Sequence, residues 1–108
     1  MSYEVKYSPV FERAIKRLAK KYPSVRKDLA ALIEELSETP FVGSPLGKDC
    51  YKVRMAIRSK GKGRSGGARV ITCVKVVRNV VILLTVYDKS EVDTISDKEL
   101  ERLLVLIG

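Results

Sequence analysis

The chain is predicted to fold as an α+β domain. A largely antiparallel four-stranded sheet is joined by an N-terminal helical hairpin and a short C-terminal helix, in the order β-α-α-β-β-β-α. Three observations predict it. Two consecutive segments, 9–22 and 25–38, carry apolar residues at helical spacing. Three later segments read as strands, 50–58 because its residues alternate and 68–77 and 80–88 because they are rich in Val, Ile and Leu. A capping box then precedes a last apolar stripe. Helices grouped apart from a run of strands are expected to pack on one face of an antiparallel sheet. With 108 residues, 45% of them hydrophobic, the chain is expected to form one domain spanning 1–108 around one modest core.

Tyr3 to Tyr7 alternates with period two and reads as a short strand. Ser8 is a good helix N-cap and Pro9 a good first helical residue, since its missing N–H is one the helix could not have bonded. Phe11, Ile15, Leu18 and Tyr22 form one stripe, with Arg13, Lys16, Arg17, Lys20 and Lys21 covering the other side. Pro23 stops this helix, Ser24 can cap the next, and Val25, Leu29, Leu32 and Leu36 repeat the stripe until Thr39-Pro40. Residues 42–49, with Gly43, Pro45 and Gly47, show no periodicity and read as a loop.

From Cys50 to Arg58 the residues alternate: Tyr51, Val53, Met55 and Ile57 on one face, Lys52, Arg54 and Arg58 on the other. Ser59 to Gly67 holds four of the seven glycines and is expected to be a mobile loop. The apolar runs 68–77 and 80–88 are separated by Arg78-Asn79, a pair suited to a tight hairpin because Asn tolerates positive φ. Ser96 and Glu99 make the capping box, and Leu100, Leu103, Leu104 and Ile107 the final stripe.

The charge is unevenly placed. The chain carries 21 Lys and Arg against 13 Asp and Glu, a net charge of +8, but residues 41–80 hold ten cations and a single acid, Asp49. Such a block is more plausibly a phosphate-binding surface than a merely solvated face. There is no histidine, so Ser-His-Asp and Cys-His catalysis and His-ligated metal sites are excluded. One acid in the cationic block excludes a two-metal carboxylate site there, so neither a metal nor another cofactor is expected. Cys50 and Cys73 lack metal or redox spacing and read as small buried hydrophobes. No segment is long and apolar enough to span a membrane, and Met1 to Glu4 lacks a signal-peptide core, so a cytoplasmic location is expected.

The order of elements, together with Asp49-Cys50-Tyr51-Lys52-Val53-Arg54-Met55, Gly67-Ala68-Arg69-Val70-Ile71 and Tyr87-Asp88-Lys89-Ser90-Glu91, resembles the RelE/ParE superfamily of bacterial type II toxins, within it the RelE/HigB-like mRNA interferases. The resemblance covers nearly the whole chain. It implies a RelE-like fold and a metal-independent endoribonuclease that cuts mRNA, typically on the ribosome, and is neutralised by a cognate antitoxin. ParE-like relatives share the fold but act on DNA gyrase, and a catalytically inactive antitoxin-binding module is the third reading. The family's basic pair on the second strand falls on Lys52 and Arg54, and its arginine opening the third strand on Arg69. The basic residue after the fourth strand, usually arginine, falls on Lys89, which offers a point charge instead of a fork. The late aromatic of RelE-like members has no counterpart after residue 91; Tyr87 is its expected replacement, because Tyr51 points away from Lys52 and Arg54.

The implied roles follow from what RNA cleavage by the 2′-hydroxyl requires: removal of a proton, stabilisation of the phosphorane, and charge for the leaving oxygen. Neighbouring cations disfavour the charged form of the Lys52 ammonium, making it the candidate base. Arg54 and Arg69 suit the phosphate, Lys89 the leaving oxygen, and Tyr87 a stacked base. Arg58, Lys60, Lys62 and Arg64 are expected to attach to ribosomal RNA electrostatically. Without the resemblance, the residues alone favour Arg69 as a strand cation paired with Asp88 and Tyr87 as a core aromatic.

Overall fold

The computed structural model describes residues 2–61, 63, 66–92 and 94–107. Its elements are β1 (Glu4–Tyr7), α1 (Pro9–Lys21), α2 (Val25–Glu38), β2 (Ser44–Gly47), β3 (Cys50–Met55), β4 (Ala68–Lys75), β5 (Val80–Asp88) and α3 (Asp97–Leu106), with a 3₁₀ turn at Arg58–Lys60. They form an α+β domain around one five-stranded sheet of order β1-β5-β4-β3-β2. Every strand pair is antiparallel except β1 with β5.

The fifth strand corrects the four-strand expectation. Ser44-Pro45-Leu46-Gly47 has no alternating pattern, yet Ser44 lies opposite Lys52 and Pro45 opposite Tyr51. A proline is tolerated because β2 is an edge strand, where a missing N–H breaks no ladder bond. The chain reverses through Gly47, Lys48 and Asp49, all at positive φ. The β4–β5 connection is also longer than the expected two-residue turn: β4 ends at Lys75, and the reversal closes with Asn79 at φ 53°. β3 ends at Met55, short of Arg58.

Serine caps start two of the helices. Ser8 Oγ accepts the Phe11 amide at 3.0 Å and donates to the Leu84 carbonyl at 2.8 Å, so one hydroxyl both begins α1 and ties it to β5. Ser96 Oγ accepts the Glu99 amide at 3.1 Å at the start of α3. Ser24 forms no side-chain cap at α2; its hydroxyl donates instead to Asp28 Oδ2 at 2.7 Å.

The helices cover both faces of the sheet, where one face was expected. Phe11, Ile15 and Leu18 of α1 and Leu29, Leu32 and Leu36 of α2 pack on Val53, Met55, Val70, Val81 and Leu83. On the other face Leu100 and Leu103 of α3 pack on Ile71, Leu84 and the buried cysteines Cys50 and Cys73, which are register partners. A slip in register between Ile71 and Thr72 keeps both apolar sets aligned.

The connection between β3 and β4 is anchored at both ends; of the loop expected over 59–67, residues 62, 64 and 65 lie outside the described residues. At its start the Arg58 amide donates to the buried Asp28 carboxylate at 3.1 Å and the Ser59 amide to Ser24 Oγ at 2.9 Å. Lys60 Nζ then turns inward to Asp88 Oδ1 at 2.7 Å and the Gly66 carbonyl at 2.9 Å, over the ring of Tyr22. At its end Gly67 passes so close to β3 that an added Cβ would lie 2.2 Å from the Met55 oxygen and 2.9 Å from the Ile57 nitrogen. Burial by itself pushes the Asp88 carboxyl up, but hydrogen bonds from Lys60, Tyr22 and the Ser90 amide and hydroxyl outweigh it and hold the group well below the usual carboxylate range.

Two outcomes follow from these contacts. Gly67→Ala has no room for its methyl group beside backbone atoms and is expected to destabilise the domain by about 2 to 3 kcal/mol, read as a lower urea midpoint at unchanged m-value. The Asp88 carboxyl binds its proton less readily folded than unfolded, so it contributes stability that is fully present above the unfolded value of about 3.9 and is lost as the pH falls through the depressed folded value. Urea midpoints measured from pH 6 downward should therefore fall more steeply for the native chain than for Asp88→Asn; parallel curves would contradict the assignment.

Candidate active site

Arg54 and Arg69 are direct partners across β3 and β4, Arg69 is in turn opposite Tyr87 on β5, and Lys52 lies opposite Ile71. Side chains two apart on a strand share a face, and so do register partners. Lys52, Arg54 and Arg69 therefore lie on the face that carries Ile71 and α3, opposite the α1–α2 layer. α3 packs toward the Cys50–Cys73 end and leaves the Arg54–Arg69 end for a cleft.

That cleft has a volume of about 550 Å³ and is lined by Lys52, Arg54, Arg69 and Lys89 together with Glu35, Val42, Gly43, Ser44 and Val53. It opens where β2 ends: pairing with β3 stops at Ser44–Lys52, so β3 beyond Lys52 has no strand on that side. Gly43 shapes the wall. At φ 97° its Cα lies so close to Lys52 that a Cβ would sit 2.5 Å from the Lys52 oxygen, so only glycine lets this segment cross the strand edge. Arg69 is buried, with Nη1 donating to the Ala68 carbonyl at 3.1 Å, whereas Arg54 and Lys89 are exposed. The Lys89 amide donates to the Gly67 carbonyl at 3.1 Å, which brings the end of β5 to the start of β4.

Four of the residues singled out in the sequence, Lys52, Arg54, Arg69 and Lys89, thus share one cavity. Tyr87 does not line it. Its ring packs with the apolar cluster beneath α3, its hydroxyl oxygen is buried, and it borders a separate cavity beside α1. Nor does Asp88 pair with Arg69; Lys60 occupies that carboxylate. Lys60 itself, expected as an RNA contact, has a side chain only 11% exposed and is turned inward. Arg58 is 82% exposed in its side chain and lines a second, smaller cavity of about 150 Å³ that shares Glu35 and Arg54 with the first. Lys62 and Arg64 lie outside the described residues.

Sequence reasoning missed Glu35, the only carboxylate among the described residues lining the cleft. A signal was present: Glu34, Glu35 and Glu38 crowd the C-terminal end of α2, where the helix dipole disfavours negative charge, and no basic residue occupies the last turn. A cationic cleft beside one of them offsets that cost. Among the described residues, no three Cys, Asp or Glu side chains group as a metal site, and no helix is long and apolar enough to cross a membrane.

The arrangement can hold a phosphodiester. Two guanidinium forks and two ammonium groups around one cavity supply donors to several phosphate oxygens together with groups that exchange protons. Several solved structures share the fold. A doubly arginine-substituted mutant of the Escherichia coli toxin RelE in the free state is 26% identical, with a TM-score of 0.61, 86% of this chain and 90% of that chain being covered. The toxin-antitoxin complex RelBE2 from Mycobacterium tuberculosis matches in fold, with 19% identity and a TM-score of 0.62 over 82% of this chain and 99% of that chain. The intact Escherichia coli RelBE toxin-antitoxin complex matches with 24% identity and a TM-score of 0.62, over 80% and 95%. No curated protein sequence matches the chain significantly. Residues 10–106 match the family described as the RelE toxin of the RelE/RelB toxin-antitoxin system, and with nine-tenths of its length so matched the chain belongs to the RelE toxin family.

Proposed function

We propose that this protein is the toxin of a type II toxin-antitoxin pair and acts as a metal-independent endoribonuclease on mRNA, on the ribosome, to stop translation. One observation carries the proposal: Lys52, Arg54, Arg69 and Lys89, from three separate parts of the chain, line a single cleft. Lys52 takes the proton of the 2′-hydroxyl, whose oxygen attacks the adjacent phosphorus. Arg54 and Arg69 hold the phosphorane oxygens, with buried Arg69 the more fixed of the two. Lys89 gives its proton to the 5′-oxygen as the P–O5′ bond breaks, leaving a 2′,3′-cyclic phosphate and a 5′-hydroxyl. None of these steps draws on imidazole, which the chain lacks.

A cognate antitoxin is the expected protein partner, since related toxins were solved in complex with theirs. An acidic antitoxin segment and an RNA strand would compete for the same cations. Arg58, exposed beside the second cavity, would meet RNA flanking the scissile phosphate.

Primer extension on mRNA translated in a cell-free system should reveal new cleavages that persist in EDTA. Lys52→Ala combined with Arg69→Ala should reduce them by at least about 100-fold while leaving the fold intact by circular dichroism. Full cleavage by that variant would refute the site. Intact mRNA together with blocked DNA supercoiling by purified gyrase would assign the chain to the gyrase poisons instead, and unaffected growth on expression without an antitoxin would make it an inactive module.

A further inference from the structure

Lys89 is exposed on the turn that follows β5, and a lysine so placed holds a catalytic position only if its backbone is fixed. The fixing group is its neighbour. The Asp88 carboxylate, fully buried, accepts from Lys60 Nζ and Tyr22 Oη at 2.7 Å each, and from the Ser90 amide and hydroxyl at 3.0 and 2.9 Å. The Asp88 carbonyl accepts the amides of Glu91 and Val92 at 3.0 and 3.2 Å. Asp88 thus binds the chain on the far side of Lys89 through both its side chain and its backbone. Lys60 links that carboxylate to the Gly66 carbonyl, and the next carbonyl, that of Gly67, receives the Lys89 amide. Arg69, the second residue of β4, follows two residues later. The two cations are therefore held in one frame closed by a single ion pair.

The energetics favour a geometric role. With side chains 11% and 0% exposed, Lys60 and Asp88 give up most of their hydration, and a pair so desolvated returns little net stability compared with apolar packing of the same volume. What such a pair offers is one allowed arrangement.

We infer that Asp88, acting through its ion pair with Lys60, is a positioning residue that fixes Lys89 against Arg69 in the cleft. The inference rests on the endoribonuclease reading and assigns Lys60 to the support of the site, away from RNA.

The test compares the intact chain with Asp88→Asn, Lys60→Met, Lys89→Ala and Asp88→Asn/Lys89→Ala in single-turnover cleavage of mRNA on programmed ribosomes. Asp88→Asn should lower the cleavage rate about 100-fold, as loss of a general acid does, with mRNA affinity within about threefold of the native value. Lys60→Met should move the rate in the same direction. The double variant should be no slower than Lys89→Ala, because two groups serving one proton transfer do not add. A substrate with sulfur at the bridging 5′ position, whose leaving thiolate needs no proton, should restore most of the rate to Asp88→Asn. Additive losses, or equal loss on the sulfur substrate, would overturn the inference. Should Asp88→Asn fail to fold, Tyr22→Phe deletes one donor and keeps the ion pair; it must show the same pattern at smaller amplitude, and native behaviour would count against the role. If the native chain cleaves nothing, the endoribonuclease reading falls separately, and hydrogen exchange still decides the positioning: the Lys89 amide should lose protection in Asp88→Asn while Val70 and Leu84 keep theirs, and unchanged protection at Lys89 would overturn the inference.

Discussion

Arg54 directly opposite Arg69 is a pairing of like charges across neighbouring strands, an arrangement that opposes sheet formation by a few tenths of a kcal/mol up to about 1 kcal/mol. Lys52 on the same face and Lys89 at the cleft rim add to the repulsion. The sheet tolerates it because both strands are held elsewhere: each carries an apolar side against α1 and α2, and each has further apolar residues beneath α3. A register shift of one residue would relieve the repulsion but would turn Val53, Met55 and Val70 away from their core, so the hydrophobic pattern sets the register and the cations follow. An anion in the cleft would lower the cluster's unfavourable field.

The opposite electrostatic choice governs the support behind the site. Asp88 has almost no exposed surface, yet it stays charged because four donors replace the water it has lost. Those donors come from three distant or turn positions: Tyr22 in the α1–α2 linker region, Lys60 in the 3₁₀ turn, and the amide and hydroxyl of Ser90. The pair is thus a junction between the helical layer and the sheet. Removing either partner would leave the other charge buried and uncompensated, which is costlier than never having built the pair.

The three helices and the strands β1, β3, β4 and β5 were legible from period and punctuation alone, since stripes such as Phe11, Ile15 and Leu18 and caps such as Ser8 and Ser96 act locally. β2 was not, because a four-residue edge strand containing Pro45 owes its existence to a partner and carries no pattern of its own. Periodicity says that α3 has an apolar side but not which sheet face receives it. Within the site, Lys52, Arg54 and Arg69 were readable because alternation fixes their common face, while the fate of Lys60 depended on Asp88, 28 residues away, in a segment whose glycines suggested mobility. Tyr87 was misplaced for a related reason: lying opposite Arg69 in register gives it the same face, but the apolar cluster beneath α3 claims its ring.

The uncovered end of the sheet follows from the length of α3. Ten residues at about 1.5 Å rise give a helix of roughly 15 Å, enough to cover Cys50, Ile71, Cys73 and Leu84 and too short to reach across the whole face as well. The strands supply apolar residues only where α3 lies and change to Lys52, Arg54 and Arg69 where it does not, so the sequence treats the two ends of one face as core and as surface. On the far side of the same strands Val53 and Met55 of β3 and Ala68, Val70 and Val74 of β4 pack beneath α1 and α2. Rigidity is therefore delivered to the cationic end from behind, by packing on the opposite face, and the cleft needs no covering element of its own to keep its cations in place. A site built this way stays open along the β3 edge beyond Lys52.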